Sequence, residues 1–283
     1  SGGQRMAFFL GIDGGGTGCR AALADADGRI IGQGRGGPAN INTDVEGAAV
    51  NILAATAEAL EGTGADPRDL IATLGLAGGT MAAATERLAG LLPFARMQIV
   101  NDAVTAARGA LGAGDGILAA IGTGSVFAVQ RGGDLRQVGG RGFLMGDEGS
   151  GAVLGRSLLS LAIRAEDGFA AMTPLLQQVL EEFGGIEGII RFGNSAAPAD
   201  FARLAPRIVT GDDPAARQVF DAAVAEVRHI LTVLQGNAPL PVVFLGGLGP
   251  AYAARLTEWP QRPALGSGVD GALLMARQMA GAA

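Results

Sequence analysis

Lysine is absent from this chain of 283 residues, because all 21 of its basic residues are arginine. A Walker A loop needs a lysine that reaches the terminal phosphates of a nucleotide, so that motif is excluded. Catalysis through a lysine Schiff base is excluded for the same reason. If the protein handles nucleotides, backbone amides, hydroxyl groups and a metal ion must neutralise the phosphates instead.

Cysteine and histidine are scarce as well, with one residue of each type, Cys19 and His229. A single cysteine excludes a disulfide framework, a thiolate zinc site and an iron–sulfur cluster held by one chain alone. His229 lies in a segment with helical periodicity, where a lone histidine is usually a packing or surface residue. A Ser-His-Asp triad would have to use this histidine and is therefore disfavoured.

Clusters of basic residues and long apolar runs are missing too. The net charge of −6 argues against nucleic acid or an acidic membrane surface as a partner. No run approaches the roughly 18 apolar residues of a membrane span, and the first residues lack a signal-peptide pattern. We therefore expect a cytoplasmic globular protein, and we interpret SGGQR, before Met6, as the remnant of an expression tag.

Short apolar segments separated by glycine predict an α/β protein with two similar halves. In the first half, three strands over residues 7–34 form an antiparallel meander, followed by helix, strand, helix, strand and helix, with the later strands parallel. Residues 117–140 repeat the meander, which indicates a duplicated unit, although any two meanders share this order. Helices are predicted near 45, 80–91, 150–166, 172–183, 214–235 and 269–279, and a strand over 241–247. Residues 184–212 show no readable pattern.

The segment DGGGT, which begins at Asp13, ends the first strand with a glycine-rich hairpin. Glycines let backbone N–H groups approach an anion closely, so such a turn can bind phosphate without lysine. Asp13 would repel phosphate, so its presence implies a divalent cation between them. The alternative is a plain glycine hairpin with a capping aspartate, and this segment alone does not decide between the two.

The second half offers a matching turn, GTGS over residues 122–125, with two hydroxyl groups. FLGGLG over residues 244–249 ends a buried strand in glycines and gives a surface for a base or ribose, or a plain strand-to-helix turn. A match to G-x-G-x-x-G begins at Gly32, but it runs into Pro38 instead of opening a helix, so a dinucleotide site is rejected.

Acidic residues follow two of the predicted turns. Asn101 and Asp102 end a strand and start a helix, where a carboxylate can reach a bound ligand and where either residue can cap the helix. Asp147 and Glu148 lie in a glycine-flanked turn before another helix, where one of them could simply complement the helix dipole.

Six segments in this order, GIDGGGT, NDA, GTGS, GGRGFLMGDEGSGAVLG, FLGG and GALLMA, resemble the sugar-kinase branch of the actin-like ATPase superfamily. More narrowly, they resemble the N-acetylglucosamine kinases and bacterial glucosamine kinases of the BadF/BadG/BcrA/BcrD ATPase family. The resemblance spans residue 8 to about 278, apart from 184–212. It implies two ribonuclease-H-like (actin-like ATPase) α/β domains around a central cleft: residues 6–104, to which the C-terminal helix 268–281 can be added, and residues 105–267.

The resemblance also assigns roles by position. It places the ATP-binding residues at Asp13, Gly15, Gly16, Thr17, Thr123, Gly124, Ser125, Gly246 and Gly247. It places the sugar-binding residues at Asn40, Ala77, Gly78, Asp102, Asp147 and Glu148. Asp102 would be the general base for the sugar 6-hydroxyl, and Asp13 would hold Mg²⁺ through water.

The resemblance leaves two other functions to weigh. An ATPase that activates a radical dehydratase or reductase shares a cluster between two subunits, which takes about four cysteine thiolates, whereas a dimer of this chain has only Cys19 from each copy. A non-catalytic actin-fold filament or sugar sensor does not need a base beside the acceptor hydroxyl. The acceptor, the choice between Asp147 and Glu148 and the oligomeric state stay open, with a homodimer as the default expectation.

Overall fold

The computed structural model describes residues 7–281, and contacts divide them into two units. The first unit holds residues 7–114, 131–135 and 264–281, and the second holds 115–130 and 136–263. The boundary expected between residues 104 and 105 falls inside the helix Asp102–Leu111, which packs against the C-terminal helix Gly268–Met279. The division therefore comes after Gly114. The predicted tag remnant lies outside the described residues.

Strands and helices follow the predicted order. The strands are β1 Phe8–Gly14, β2 Cys19–Ala24, β3 Ile30–Gly36, β4 Leu70–Leu76, β5 Arg96–Asn101, β6 Gly116–Ile121, β7 Ser125–Arg131, β8 Asp134–Gly139 and β9 Val242–Leu245. The helices are α1 Val45–Leu60, α2 Ala82–Ala89, α3 Asp102–Leu111, α4 Gly151–Glu166, α5 Pro174–Phe183, α6 Gly185–Ser195, α7 Pro198–Ala202, α8 Ala205–Val209, α9 Pro214–Gln235, α10 Gly249–Arg255 and α11 Gly268–Met279.

The first unit is a five-stranded sheet in the order β3-β2-β1-β4-β5, covered on both faces by helices. The meander of β1, β2 and β3 is antiparallel, and β4 and β5 run parallel to β1, as predicted. Helix α1 packs on β3, where a Cβ at Gly32 or Gly34 would collide with a carbonyl of the helix backbone. Close helix packing therefore explains the glycines of the G-x-G-x-x-G match.

The second unit repeats this pattern in the sheet β8-β7-β6-β9, where β7 is antiparallel and β9 parallel to β6. In place of a fifth strand, Gln261 forms a single parallel bridge with Val242. The duplication predicted from element order is therefore confirmed in strand order. Each unit has the ribonuclease-H-like architecture that the resemblance implied.

Residues 184–212 form three short helices, α6, α7 and α8. Two of them begin with a proline in the first turn, where its missing N–H costs nothing. Phe192 holds this region together through edge contacts with Phe183 and Phe201, whose ring centroids lie at 4.9 and 5.1 Å. Within residues 7–281, no helix combines the length and the apolar character needed to cross a bilayer.

Candidate active site

The first glycine turn, residues 15–18, is fixed to its own unit through backbone carbonyls. The Gly15 N–H donates to the Gly18 carbonyl at 3.0 Å, and the Gly15 carbonyl accepts from the Ala39 N–H at 2.9 Å. Because the C=O and N–H of one trans peptide point in opposite directions, the Gly16 N–H faces away from Ala39. The turn thus presents an amide that its anchoring bonds do not use.

Contacts within the protein do not require glycine at positions 15 and 16. A Cβ built on either residue would meet no atom within 4 Å, whereas one on Gly14 would lie 2.8 Å from the Ala39 side chain. Neither residue has the positive φ that favours glycine. Neither packing nor positive φ therefore requires glycine at these two positions, and their backbones are open to close approach from outside.

Two carboxylates, Asp13 at the end of β1 and Asp102 at the start of α3, line one pocket of 500 Å³ with Gly15 and Thr17. Asn101 caps α3, because its Oδ1 accepts from the Ala103 N–H at 3.0 Å. The capping role that the sequence left open between the two residues thus belongs to Asn101. The Asp102 carboxylate is therefore not the cap, although the N–H groups of Ala103 and of Asp102 itself lower its pKa.

Both carboxylates titrate above the ordinary range. Burial raises the pKa of Asp102, against smaller opposing effects of backbone N–H groups at the helix start. Burial also raises the pKa of Asp13, the charge of Asp102 raises it further, and Arg20 partly offsets this. Two half-buried acids that disfavour each other's charge are typical of a site that receives a cation or a proton.

Three of the residues assigned to the sugar lie together beside the first glycine turn. Asn40 and Ala77 form a parallel bridge, and the Ile41 N–H donates to the Ala77 carbonyl at 3.0 Å. The Asn40 Oδ1 accepts from the Asn42 N–H at 2.9 Å, which fixes the side chain and leaves its NH₂ group available. Gly78 has φ of 85° and packs against Asn42.

The second glycine turn, residues 122–124, lies on the N-terminus of α4. The Gly122 carbonyl accepts from the Gly151 N–H at 2.7 Å, and the Thr123 carbonyl accepts from the Ala152 N–H at 3.2 Å. The opposite ends of the same two peptides, the N–H groups of Thr123 and Gly124, therefore point away from the helix. These two N–H groups therefore extend the positive end of the α4 dipole to the outer side of the turn.

The acidic pair of the second unit adjoins this turn. Asp147 is buried, and at φ of 57° it is the one non-glycine residue with a left-handed backbone among residues 7–281. Its Oδ1 lies 3.5 Å from the Ser125 N, and the Ser125 hydroxyl donates to the Glu148 carbonyl at 2.8 Å. The Glu148 Oε2 is buried without a hydrogen-bond partner in the described part of the chain.

The two glycines that follow β9, Gly246 and Gly247, differ in their surroundings. Gly246 has φ of 87°, and a Cβ there would collide with the Ile121 carbonyl at the end of β6. A Cβ on Gly247 would meet nothing within 4 Å. The backbone at Gly247 is therefore open to close approach, whereas packing requires a glycine at position 246.

Arginines are the side chains of the first pocket that the sequence argument missed. Arg20 and Arg35 line it beside Asp13 and Asp102. Strand register brings them there: Arg20 on β2 is opposite Asp13 on β1, and Arg35 on β3 is opposite Arg20. No group of three or more His, Cys, Asp or Glu side chains suited to a metal occurs within residues 7–281.

Comparison with known proteins places these turns in a family. The model of the BadF/BadG/BcrA/BcrD ATPase family matches residues 10–262, which includes both glycine turns and both acidic pairs. The chain belongs to this ATPase family. The resemblance stated from the ordered motifs is therefore confirmed.

This member of the BadF/BadG/BcrA/BcrD ATPase family is similar to two sugar kinases. The glucosamine kinase of Vibrio cholerae is 32% identical over 266 residues, which covers 91% of this chain and 89% of the relative. An N-acetylmuramic acid/N-acetylglucosamine kinase of Clostridium acetobutylicum is 27% identical over 62% of this chain and 60% of its own length.

The fold of this chain is also similar to that of a solved structure. A candidate N-acetylglucosamine kinase from Chromobacterium violaceum superposes with a TM-score of 0.78 at 31% identity, and covers 96% of this chain and 99% of its own. Together with the two ribonuclease-H-like sheets, this similarity establishes the two-domain actin-like α/β fold.

Proposed function

We propose that this chain is an ATP-dependent kinase that phosphorylates the 6-hydroxyl of glucosamine or N-acetylglucosamine. The observation that carries this proposal is the position of Asp102: this half-buried carboxylate, next to the cap residue Asn101, lines one pocket with Asp13 and Thr17. Similarity to the glucosamine kinase of Vibrio cholerae supports the choice of an amino sugar.

Asp102 is the proposed general base. It would accept the proton of the sugar 6-hydroxyl as that oxygen attacks the γ-phosphorus, while the bond to the β,γ-bridging oxygen breaks and ADP leaves. The raised pKa of Asp102 suits this role, because a base close in pKa to the working pH transfers protons more effectively. Asn40 and Gly78, with Ala77, are proposed to position the sugar in the first unit, and Asp147 and Glu148 to contact it in the second.

The glycine turns are proposed to bind the phosphates of ATP through amides and hydroxyls. In the first unit these groups come from Gly15, Gly16 and Thr17, and in the second from Thr123, Gly124 and Ser125. Gly246 and Gly247 are proposed to lie against adenosine. The outward amides of both turns and the open space at Gly15, Gly16 and Gly247 support this assignment.

The donor set fits magnesium. The Asp13 carboxylate is half-buried and disfavoured by the charge of Asp102, so a nearby divalent cation would stabilise its ionised form. Mg²⁺ commonly takes one or two carboxylates and keeps several waters, which agrees with the absence of a larger ligand cluster within residues 7–281. When bound, the metal would neutralise charge on the phosphates, and Asp13 would hold it through water.

The activator of a radical enzyme remains a weaker alternative. Cys19 is the single cysteine, and it is buried with its Sγ 3.6 Å from the Asn51 carbonyl. Burial also raises the pKa of its thiol, which disfavours the thiolate that a cluster needs. A colourless, iron-free purified protein is expected.

Measurement of ADP release with glucosamine, N-acetylglucosamine, N-acetylmannosamine and glucose tests the proposal. We expect turnover with one or both of the first two sugars, and the product should carry its phosphate on O6 by ³¹P–¹H correlation NMR. The 6-deoxy analogue of the best acceptor is the matched control and should give none. Equal ADP release without any sugar, or phosphate on another oxygen, would contradict the assignment.

A further inference from the structure

A row of three charged residues crosses the first sheet beside the phosphate turn. Asp13 on β1 is paired with Arg20 on β2, and Arg20 is paired with Arg35 on β3. Residues directly opposite each other project from the same face of a sheet, so the three side chains share one face. All three line the 500 Å³ pocket that contains Gly15 and Asp102.

Two arginines directly opposite each other are unfavourable without an anion. Like charges in a cross-strand pair lie about 4.5–5.5 Å apart at Cβ and destabilise the sheet. In the described part of the chain, nine other arginines form ion pairs with carboxylates. Within residues 7–281, no carboxylate lies within 4.0 Å of the guanidinium of Arg20 or Arg35.

Neutralisation of the charges of Asp13 and Asp102 explains only part of the arrangement of the two arginines. Arg20 lowers the pKa of Asp13, but this effect is smaller than those of burial and of Asp102, and the pKa stays raised. Both arginines also line a second pocket of 390 Å³, together with Glu58 and Asp270, and neither of these acids forms an ion pair with them.

We propose that Arg20 and Arg35 bind the β- and γ-phosphate oxygens of the nucleotide and supply the positive charge that a lysine supplies in a P-loop. This inference rests on the proposed use of ATP. Two planar guanidinium forks beside an amide turn match the several oxygens of a polyphosphate. The polyphosphate in turn relieves the repulsion between the two strands.

Arg20→Gln, Arg35→Gln and the double variant test the pair. Arg29→Gln is the matched control, because Arg29 lies at the far end of the same meander, 78% exposed, in an ion pair with Asp25. Calorimetric titration with ADP and with inorganic tripolyphosphate in EDTA measures binding without magnesium. Each pocket variant should weaken ADP binding by about tenfold or more, the size of one charge-assisted hydrogen bond, and Arg29→Gln should leave it unchanged.

Thermal unfolding provides an independent readout. Without nucleotide, Arg35→Gln should be at least as stable as the parent protein, since it removes a like-charge contact. With ADP, the parent protein should gain more stability than the double variant. The logarithm of the ADP affinity should also fall less steeply with salt in the double variant.

The outcomes separate this inference from the kinase proposal. Unchanged ADP and tripolyphosphate affinity in the folded double variant would overturn the arginine site even if the parent protein phosphorylates a sugar. A shift of the pH–rate profile with unchanged ADP affinity would also overturn it, because it would mean that the arginines only balance Asp13 and Asp102. Arginine-dependent ADP binding without sugar turnover would support the site and contradict the kinase.

Discussion

At the scale of single residues, we expect the ionised Asp102 carboxylate to lower the free energy of unfolding. Burial raises its pKa, so the native state holds the proton more tightly than the unfolded chain does. The free energy of unfolding therefore falls as pH rises from the ordinary range of aspartate through the raised pKa of the native carboxyl. Above that pKa the full cost is present.

Asp102→Asn should therefore unfold at a higher temperature than the parent protein at pH 8, and this difference should shrink as the pH is lowered toward the ordinary range of aspartate. Scanning calorimetry over this pH range is the measurement, with the exposed turn residue Asp27→Asn as control. A variant that is equally or less stable at pH 8 would show that the carboxylate is not strained there.

The pH–rate profile follows from the same carboxyl. The base must be ionised, so kcat/KM for the sugar should fall on the acid side with a midpoint above the ordinary aspartate value of about 3.9. The charge of Asp102 raises the pKa of Asp13, so the two carboxyl groups titrate as a coupled pair. The acid limb of the profile therefore reports the pair and not Asp102 alone. An acid limb at or below the ordinary value would contradict the environment described for Asp102.

Gly16→Ala tests the open space at the first turn. The methyl group would touch no protein atom, so stability should change little, whereas a phosphate close to the backbone would collide with it. We expect the KM for ATP to rise by about tenfold or more, comparable to the loss of a charge-assisted hydrogen bond, with the KM for sugar unchanged. Gly193→Ala, at another open position in α6, is the control and should leave both constants unchanged. Equal ATP constants in Gly16→Ala and the parent protein would remove Gly16 from the phosphate site.

At the scale of elements, the second glycine turn depends on the N-terminus of α4. The Ser150 hydroxyl caps this helix by accepting from the Val153 N–H at 3.2 Å, and its side chain is fully buried. Ser150→Ala should reduce the free energy of unfolding by about 1 kcal/mol, the usual size of a lost cap. Because Gly151 and Ala152 hold the turn, ATP binding should weaken as well.

Thr173→Ala is the matched control for this prediction. Thr173 caps α5 through the Leu176 N–H at 3.3 Å, and its hydroxyl also hydrogen-bonds to the Asp213 carboxylate. Urea unfolding with parallel measurement of the KM for ATP should show a loss of stability in both variants and a changed KM only in Ser150→Ala. A KM change in both, or in neither, would contradict the coupling of turn and helix.

The sequence predicted elements best where glycines and periodicity agree. A cap at Thr43 or Asp44 and the apolar spacing after it predict a helix that begins near residue 45, and the structure selects Asp44, whose Oδ1 accepts from the Gly47 N–H. Residues 184–212 were unreadable for two reasons: α7 and α8 have five residues each, too few for a periodic pattern, and the 11 residues of α6 include Gly185, Gly188 and Gly193, which obscure one.

Register-dependent features also lay beyond the sequence. Arg35 joins the pocket only because β3 pairs with β2 in one register, and that register shifts between Leu23 and Ala24. A shift of one residue would move Arg35 to the opposite face. Similarly, Asn101 and Asp102 are both residue types favoured as caps, and hydrogen-bond geometry was needed to identify Asn101 as the cap.

At the scale of the whole molecule, the duplicated fold supplies each unit with one glycine turn. In both units the turn joins the first two strands of an antiparallel meander, and a parallel strand beside the first one ends in glycine at positive φ, Gly78 or Gly246. The two copies have diverged in their acids, since the first carries Asp13 and Asp102 and the second carries Asp147 and Glu148. This division suits a kinase in which one unit supplies the base.

The most direct test of the account combines turnover and binding in Asp102→Asn. The parent protein should release ADP only when an amino sugar is present. The variant should bind ADP as tightly as the parent protein does, while its sugar-dependent ADP release falls by about 10²- to 10⁴-fold, the usual contribution of a general base. Undiminished sugar-dependent ADP release by the variant would contradict the assignment of Asp102 and the catalytic account built on it.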